Sequence, residues 1–281
     1  MSKYQTHPQA IEVHIQSDNS WSVEHRPDLL AVEEPLEIRL RHNGGEQALS
    51  ITMRTPGHDK ELAMGFLFGE GIIRSADQVL STRETNLEDD ALLGQRITIE
   101  LTHDCAFDLS KLERHFYTTS SCGVCGKSSI DAVKIACPVP VQAEPFLVSN
   151  QTIAQLPLAL KEYQSAFEQT GGIHAAAFFN AQGEIVQARE DVGRHNALDK
   201  LNGWALLNAQ VPAVNRGLLL SGRASFELIQ KASMVGVPLI VAVGAPSSLA
   251  VELAEELNIT LVGFTKSHRF NVYSAPQRIH A

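Results

Sequence analysis

GLLLSGRASFELIQKASMVGVPLIVAVGAPSSLAVELAEELNITLVGF, residues 217–264, decides the fold. It reads as a strand at Gly217 to Leu220, a helix from Ala224 to Met234 and a buried strand from Val237 to Val243. A helix from Ser248 to Leu257, ended by Asn258, and a final strand from Ile259 to Phe264 complete it. Apolar runs too short for helices alternate here with segments of helical period. Such alternation predicts a sheet with helices on both faces. Upstream the same texture reaches back to about residue 148. A helix pattern carries Ile153, Leu160, Tyr163 and Phe167 and closes at Gly171-Gly172. Ile173 to Phe179 is a strand, Asn180 to Gly183 turns it into Glu184 to Ala188, and a helix starts near Arg194.

The first third is strand-rich. Apolar residues alternate with polar ones at Ile11, Val13 and Ile15, at Leu36, Ile38 and Leu40, and at Leu49, Ile51 and Met53. Asn43-Gly44-Gly45 signals a hairpin. A helix follows Thr55-Pro56-Gly57 with Leu62 and Phe66 on one face, and Ile97, Ile99 and Leu101 mark another strand. Leu109, Leu112 and Phe116 suggest a helix. Thr118 to Ser129 then offers almost nothing to bury, and Cys137-Pro138-Val139-Pro140 resembles a linker. The expected division is a strand-rich region over 1–117, a mobile loop and linker over 118–147, and an α/β cofactor-binding domain over 148–281. The fold class is α/β, α+β over the whole chain.

Composition narrows the function. The chain has 281 residues, 44% hydrophobic and 20% charged, the balance of a soluble globular protein. A net charge of −9 speaks against a nucleic-acid coat, which needs a basic face. The longest apolar runs are about five residues, against the ~20 that span a bilayer. The N-terminus, MSKYQTHPQAIEVHIQ, shows no secretory h-region, so a cytoplasmic location is expected.

Chemistry concentrates in four places. Cys122-Gly-Val-Cys125-Gly is the sharpest. Two thiols on a glycine-flanked polar loop read poorly as incidental cysteines. Zinc, dithiol redox and sulfur transfer all remain open. Zinc usually takes two paired half-sites, and Cys105 and Cys137 stand unpaired, although His103 and His115 can complete a set. The deaminase signature H-x-E with P-C-x-x-C is missing, because no His-x-Glu or Cys-x-Glu occurs and Ser121 replaces the proline. A thioredoxin-like motif opens a helix in an early βαβ unit, a context not seen here. A persulfide carrier needs a thin, mobile thiolate. Gly123 and Gly126 supply the thinness, and Lys127 a charge that favours thiolate.

The second place, Glu190-Asp-Val-Gly-Arg194-His195-Asn-Ala-Leu-Asp-Lys200, is either a polar site at the sheet edge or a cap, Asp191, with Arg194 as its partner. The third, Ser221-Gly222-Arg223-Ala224-Ser225, suits an anion, though capping alone explains its serines. The fourth follows the last strand: Phe264, Thr265, Lys266, Ser267, His268 and Arg269. From Leu261 to Ala281 there are three cations and no acid, so this is a phosphate site or a solvated tail. His174 is a lone histidine at a strand start, more simply held in place by hydrogen bonds.

Together these pieces resemble the FdhD family of formate dehydrogenase accessory proteins. The resemblance rests on Met64-Gly-Phe66 with Glu70-Gly-Ile-Ile73, Cys122-Gly-Val-Cys125-Gly, His174-Ala-Ala-Ala, Glu190-Asp-Val-Gly-Arg-His195, Arg223-Ala-Ser225 and Leu261-Val-Gly-Phe264, in that order. It implies a cytosolic sulfurtransferase, loaded with a persulfide on Cys122 by a cysteine desulfurase. The sulfur then passes to the molybdenum bis(molybdopterin guanine dinucleotide) cofactor before insertion into the formate dehydrogenase apoenzyme. Cys122 would be the carrier, with Cys125 beside it. Phe264 to Arg269 would hold the cofactor, with Arg223, Arg194 and His195. The implied fold is a cytidine-deaminase-like mixed sheet without the deaminase zinc, usually as a homodimer. Family members carry a cysteine and a Pro-Gly after the last strand, where this chain has Thr265 and Ser267-His268. A different class of function, a non-catalytic cofactor chaperone with a zinc-holding C-x-x-C, is the alternative.

Overall fold

The computed structural model describes residues 6–17, 20–86, 95–103, 105 and 146–281. β1 (Thr6–Ser17) and β2 (Ser20–Ala31) pair as an antiparallel ribbon. β3 (Glu34–His42) and β4 (Gly45–Arg54) form a hairpin whose turn residues Asn43 and Gly44 both take positive φ, which is why that dipeptide suits the turn. α1 (Asp59–Gly69) follows, then β5 (Val79–Asn86) and β6 (Gln95–Leu101). These strands make a sheet of order β4-β3-β6-β5, with β3 and β6 parallel.

The second part begins with β7 (Val148–Ser149), α2 (Asn150–Lys161) and α3 (Ser165–Thr170). It continues through β8 (His174–Phe179), β9 (Ile185–Asp191), α4 (Arg194–Leu207), β10 (Gly217–Leu220) and α5 (Phe226–Met234). β11 (Leu239–Ala242), α6 (Ser248–Glu256), β12 (Thr260–Lys266) and β13 (Arg269–Ser274) follow, and β14 (Ile279–His280) pairs back with β7. The central sheet runs β13-β12-β11-β10-β8-β9. β10, β11 and β12 are parallel, while β8, β9 and β13 run antiparallel to their neighbours.

Helices cover both faces, as the alternation predicts. Ala175, Ala177, Phe179, Leu219, Val241 and Val262 meet Ile153, Leu156 and Leu160 of α2 on one side. Their pleat neighbours Ala176, Phe178, Leu218, Leu220, Ile240 and Leu261 meet α4, α5 and α6 on the other. That second core continues through Met64, Leu67 and Phe68 of α1 to Leu36, Ile38, Ile97 and Ile99 of the small sheet. α1, buried on most sides, lies between the small sheet and α4. The two helices touch backbone to backbone: a Cβ on Gly65 would stand 1.8 Å from the Asp199 carbonyl, and one on Gly203 1.8 Å from that of Glu61. Only glycine permits that approach.

Some expectations need correcting. The single helix expected over Ile153 to Phe167 is two, because the chain turns at Glu162 to Gln164. The strand expected at Glu184 to Ala188 runs on to Asp191. The strand ending at Phe264 is not final: β12 continues to Lys266 and turns through Ser267-His268 into β13, a partner without the glycine or asparagine signal of a tight hairpin. β2 and β5 carry little apolar alternation and gave no signal. The helix suggested at 109–116, the loop with Cys122 and Cys125, and the Cys137-Pro138 linker lie outside the described residues.

Candidate functional site

The carboxyl ends of β10, β11 and β12 meet at one edge, and β8, antiparallel to β10, begins there with His174. Open α/β sheets bind ligands at this edge. Its loops are laced together by backbone. Gly244 N–H donates to the Gly222 carbonyl at 2.9 Å, Phe264 N–H to the Gly244 carbonyl at 3.0 Å, and Ala224 N–H to that of Ala245 at 3.1 Å. A Cβ on Gly244 would lie 2.9 Å from both Arg223 N and Gly222 O, so this crossing requires glycine. The Ser221 hydroxyl accepts from Ala175 N–H at 2.8 Å and fixes its loop to β8; it caps no helix.

α4, α5 and α6 start at the same edge. Ser149 and Ser247 cap α2 and α6 through Thr152 N–H and Ala250 N–H. At α4 and α5 the cap positions, Gly193 and Ser225, provide no side-chain cap. The Ser225 hydroxyl instead lies 3.3 Å from His195 Nε2, with Glu227 Oε2 3.4 Å from the same nitrogen. Burial, with the Arg194 and Lys231 cations nearby, pushes His195 down to about 4 despite that carboxylate. Burial and the Arg194 and Arg223 cations likewise hold His174 below its ordinary value. Arg194 Nε is buried and has no hydrogen-bond partner among the described residues. The edge thus presents two neutral imidazoles and the guanidinium groups of Arg194 and Arg223, a setting for an anion.

The His195 shift has a consequence for acid stability. Between about pH 4 and 6.5 the unfolded chain takes up a proton there that the folded chain refuses. Its contribution is complete above that window and is lost as pH falls through it. Urea midpoints at pH 7 and pH 5 should therefore show a loss that His195→Gln reduces, by at most about 1.4 kcal/mol per pH unit. An identical pH dependence in both proteins would contradict a buried neutral His195.

The acid-rich segment before α4 divides by depth. Asp191 is fully buried and pairs with Lys200 Nζ at 2.7 Å, not with Arg194. Its carboxylate also accepts from Thr55 N–H at 3.1 Å and Gly193 N–H at 2.8 Å. Lys200 Nζ donates to the Thr55 carbonyl at 2.7 Å, and Asn196 Nδ2 to that of Met53 at 2.8 Å. Asp191, Lys200 and Asn196 thus stitch the start of α4 to the β4–α1 link. Sequence periodicity gave no sign of Thr55 or Asn196, whose partners lie far away in the chain.

The structure brings Arg194, His195 and Arg223 together around His174 and laces Phe264 to the same edge. Phe264 has φ +53° and is exposed. Thr265 points the other way: its buried hydroxyl donates to the Ala242 carbonyl at 2.9 Å. Lys266 and Arg269 face each other across the β12–β13 turn, and with Ser267 and His268 they stand exposed at its tip. The segment is the turn of a hairpin and not a tail, since a paired strand follows it, and its tip is solvated. Among the described residues no group of three acidic, cysteine or histidine side chains is placed to hold a metal ion, and no helix is long and apolar enough to cross a membrane.

The chain is similar to proteins of known name. It is 48% identical over 256 residues to the sulfur carrier protein FdhD of Mycolicibacterium paratuberculosis, covering 90% of this chain and 93% of that one. The FdhD protein of Streptomyces coelicolor is 48% identical over 262 residues, 92% of this chain and 91% of the relative. A crystal structure from Desulfotalea psychrophila, described as a formate dehydrogenase accessory protein, matches with a TM-score of 0.71 over 98% of this chain and 100% of its own, at 23% identity; it shows the fold. The family model for FdhD/NarQ matches residues 31–280. On that match and those identities, the chain belongs to the FdhD/NarQ family.

Proposed function

We propose that this protein is a sulfur carrier for the molybdenum cofactor of formate dehydrogenase. The observation that carries the reading is the C-x-x-C pair in a chain 48% identical to a protein named as a sulfur carrier. In the loading step the Cys122 thiolate attacks the outer sulfur of a cysteine desulfurase persulfide. The donor S–S bond breaks, the donor departs as thiolate, and a new S–S bond forms on Cys122 with no net oxidation. The cofactor, in its bis(molybdopterin guanine dinucleotide) form, is a passing substrate that receives the sulfur before entering the formate dehydrogenase apoenzyme. A cytoplasmic site of action and a homodimer belong to the same reading.

The 148–281 part is assigned the cofactor. Its strand order, 2-1-3-4-5 when β8 to β12 are counted from one, supports the cytidine-deaminase-like reading of this sheet. The cationic edge supports phosphate binding. Arg194 and Arg223 supply planar donors beside His174, and the tip carries Lys266 and Arg269 in a segment without acids. Long-range repulsion from a chain of net charge −9 must be overcome by such direct contacts.

Intact mass tests the loading step: incubation with a desulfurase and cysteine should add one sulfur, about 32 Da, and Cys122→Ala should add none. Calorimetry with guanosine diphosphate tests the edge. Arg269→Ala should lower affinity roughly tenfold to a hundredfold, the loss of a charge-assisted bond worth about 1.5–3 kcal/mol. Loading on Cys122 should not change. Equal affinity in wild type and Lys266→Ala/Arg269→Ala would remove the hairpin tip from the site.

A further inference from the structure

Glu190 and Asp191 are consecutive in β9, so their side chains leave opposite faces of the sheet. Asp191 holds the start of α4 on one face. Glu190 stands opposite Ala175, on the face toward α2 and α3. Each of its carboxylate oxygens takes one N–H from the start of α3: Oε2 accepts from Ala166 at 3.1 Å and Oε1 from Phe167 at 2.9 Å. The cap position of α3, Gln164, provides no side-chain cap of its own. Burial raises the affinity of Glu190 for a proton, which the two N–H bonds and Lys200 oppose.

Little else fixes α3. It is six residues long, too short to persist by itself, and Ala166 is its only buried side chain. Its outer flank leans on the β1–β2 ribbon, in which no residue is buried. Its far end, Gly171 at φ +65°, leads through Gly172 into His174. Yet Phe167, Gly171, Gly172 and Ile173 form one wall of a cavity of about 480 Å³ that reaches His174 and Ser221. We infer that Glu190 is a positioning residue: through Ala166 and Phe167 it sets where the α3 wall stands against the cationic edge, and so how tightly an anionic ligand is held there. The inference rests on the cofactor reading proposed above. On it, Glu190 and Asp191 pin two walls of one edge from the two faces of a single strand, which gives the acid pair before Gly193 two separate tasks.

Two measurements on the full chain test it, in wild type, Glu190→Gln and Glu190→Ala: calorimetry with guanosine diphosphate, and amide hydrogen exchange over residues 165–172. Glu190→Ala should weaken binding by about tenfold or more and speed exchange in that segment by a similar factor. Glu190→Gln, whose single amide oxygen can hold one of the two N–H groups, should fall between wild type and Glu190→Ala in both. Faster exchange with unchanged affinity would overturn the inference, because α3 would then move without consequence for the edge. Weaker binding with unchanged exchange would also overturn it, because the effect would not pass through α3. In both cases binding by wild type leaves the cofactor reading standing. If wild type binds no guanosine diphosphate, the cofactor reading falls and this inference falls with it. Urea midpoints show which variants are folded, and Glu190→Gln carries the test if Glu190→Ala is not.

Discussion

Formate dehydrogenase matured with Cys122→Ala is expected to be inactive, while Cys125→Ala leaves part of the activity. Cys122 leads the motif and matches the carrier cysteine of the FdhD resemblance. Glycines at 123 and 126 give the thiol a thin approach, and Lys127 favours its thiolate. On the proposed reading, a chain without Cys122 accepts no sulfur, and nothing downstream has a substrate. On the same reading, Cys125 serves the loaded form either as a helper or as a reset. Its thiolate can attack the Cys122 sulfur that bears the sulfane atom; a disulfide closes, and the sulfane atom leaves as hydrosulfide, reduced by the two electrons the thiols give up. The disulfide must then be reduced by cellular thiols before the next cycle. In either role Cys125 would bear on turnover and not on the acceptance of sulfur. The measurement is dehydrogenase activity in a strain whose only carrier is the variant. Normal activity with Cys122→Ala would overturn the assignment.

The second large effect is on stability. Lys200→Met should cost about 3–5 kcal/mol, because it leaves the fully buried Asp191 carboxylate without its counter-charge. Burial by itself lowers the affinity of Lys200 for its proton, and the Asp191 carboxylate at 2.7 Å opposes that loss. In the variant, Thr55 N–H, Gly193 N–H and Asn196 still donate to the carboxylate but bring no net charge. The double variant Lys200→Met/Asp191→Asn removes the stranded charge and should recover part of the loss, a coupling that a double-mutant cycle measures. Denaturant unfolding provides the numbers. A cost below about 1 kcal/mol for Lys200→Met would mean that water reaches the pair.

Much of the second half was legible because its apolar runs are short, dense and punctuated. Leu239 to Ala242 has only one reading, since four buried apolar residues between Pro238 and Gly244 are too few for a helix. β13 was not legible: Arg269 to Ser274 is mostly exposed, with one half-buried aromatic at Phe270 and another at Tyr273. The site was half legible. Arg194, His195 and Arg223 stood out because charge and imidazole beside glycine at a strand end are unusual. Thr265 looked like a ligand for its place in the segment, and the fold turned it inward because β12 carries a bulge after Gly263. Of the two readings of Asp191, the one that pairs it with Arg194 leans on nearness in sequence, whereas its ion partner, Lys200, lies further along the helix that Arg194 begins.

The core that runs from Leu36 and Ile97 through Met64 and Phe68 to Leu198 and Leu218 makes the small sheet and the cationic edge a single cooperative unit. Opening the small sheet strips the cover from α1. Losing α1 in turn bares the face of α4 that holds Gly203, and with it the helix whose first turn carries Arg194 and His195. A chain trimmed of its N-terminal sheet is accordingly not a shorter version of the same fold. It is one whose cationic edge has lost the scaffold that fixes its geometry, so the shape of that edge and global folding share one free energy.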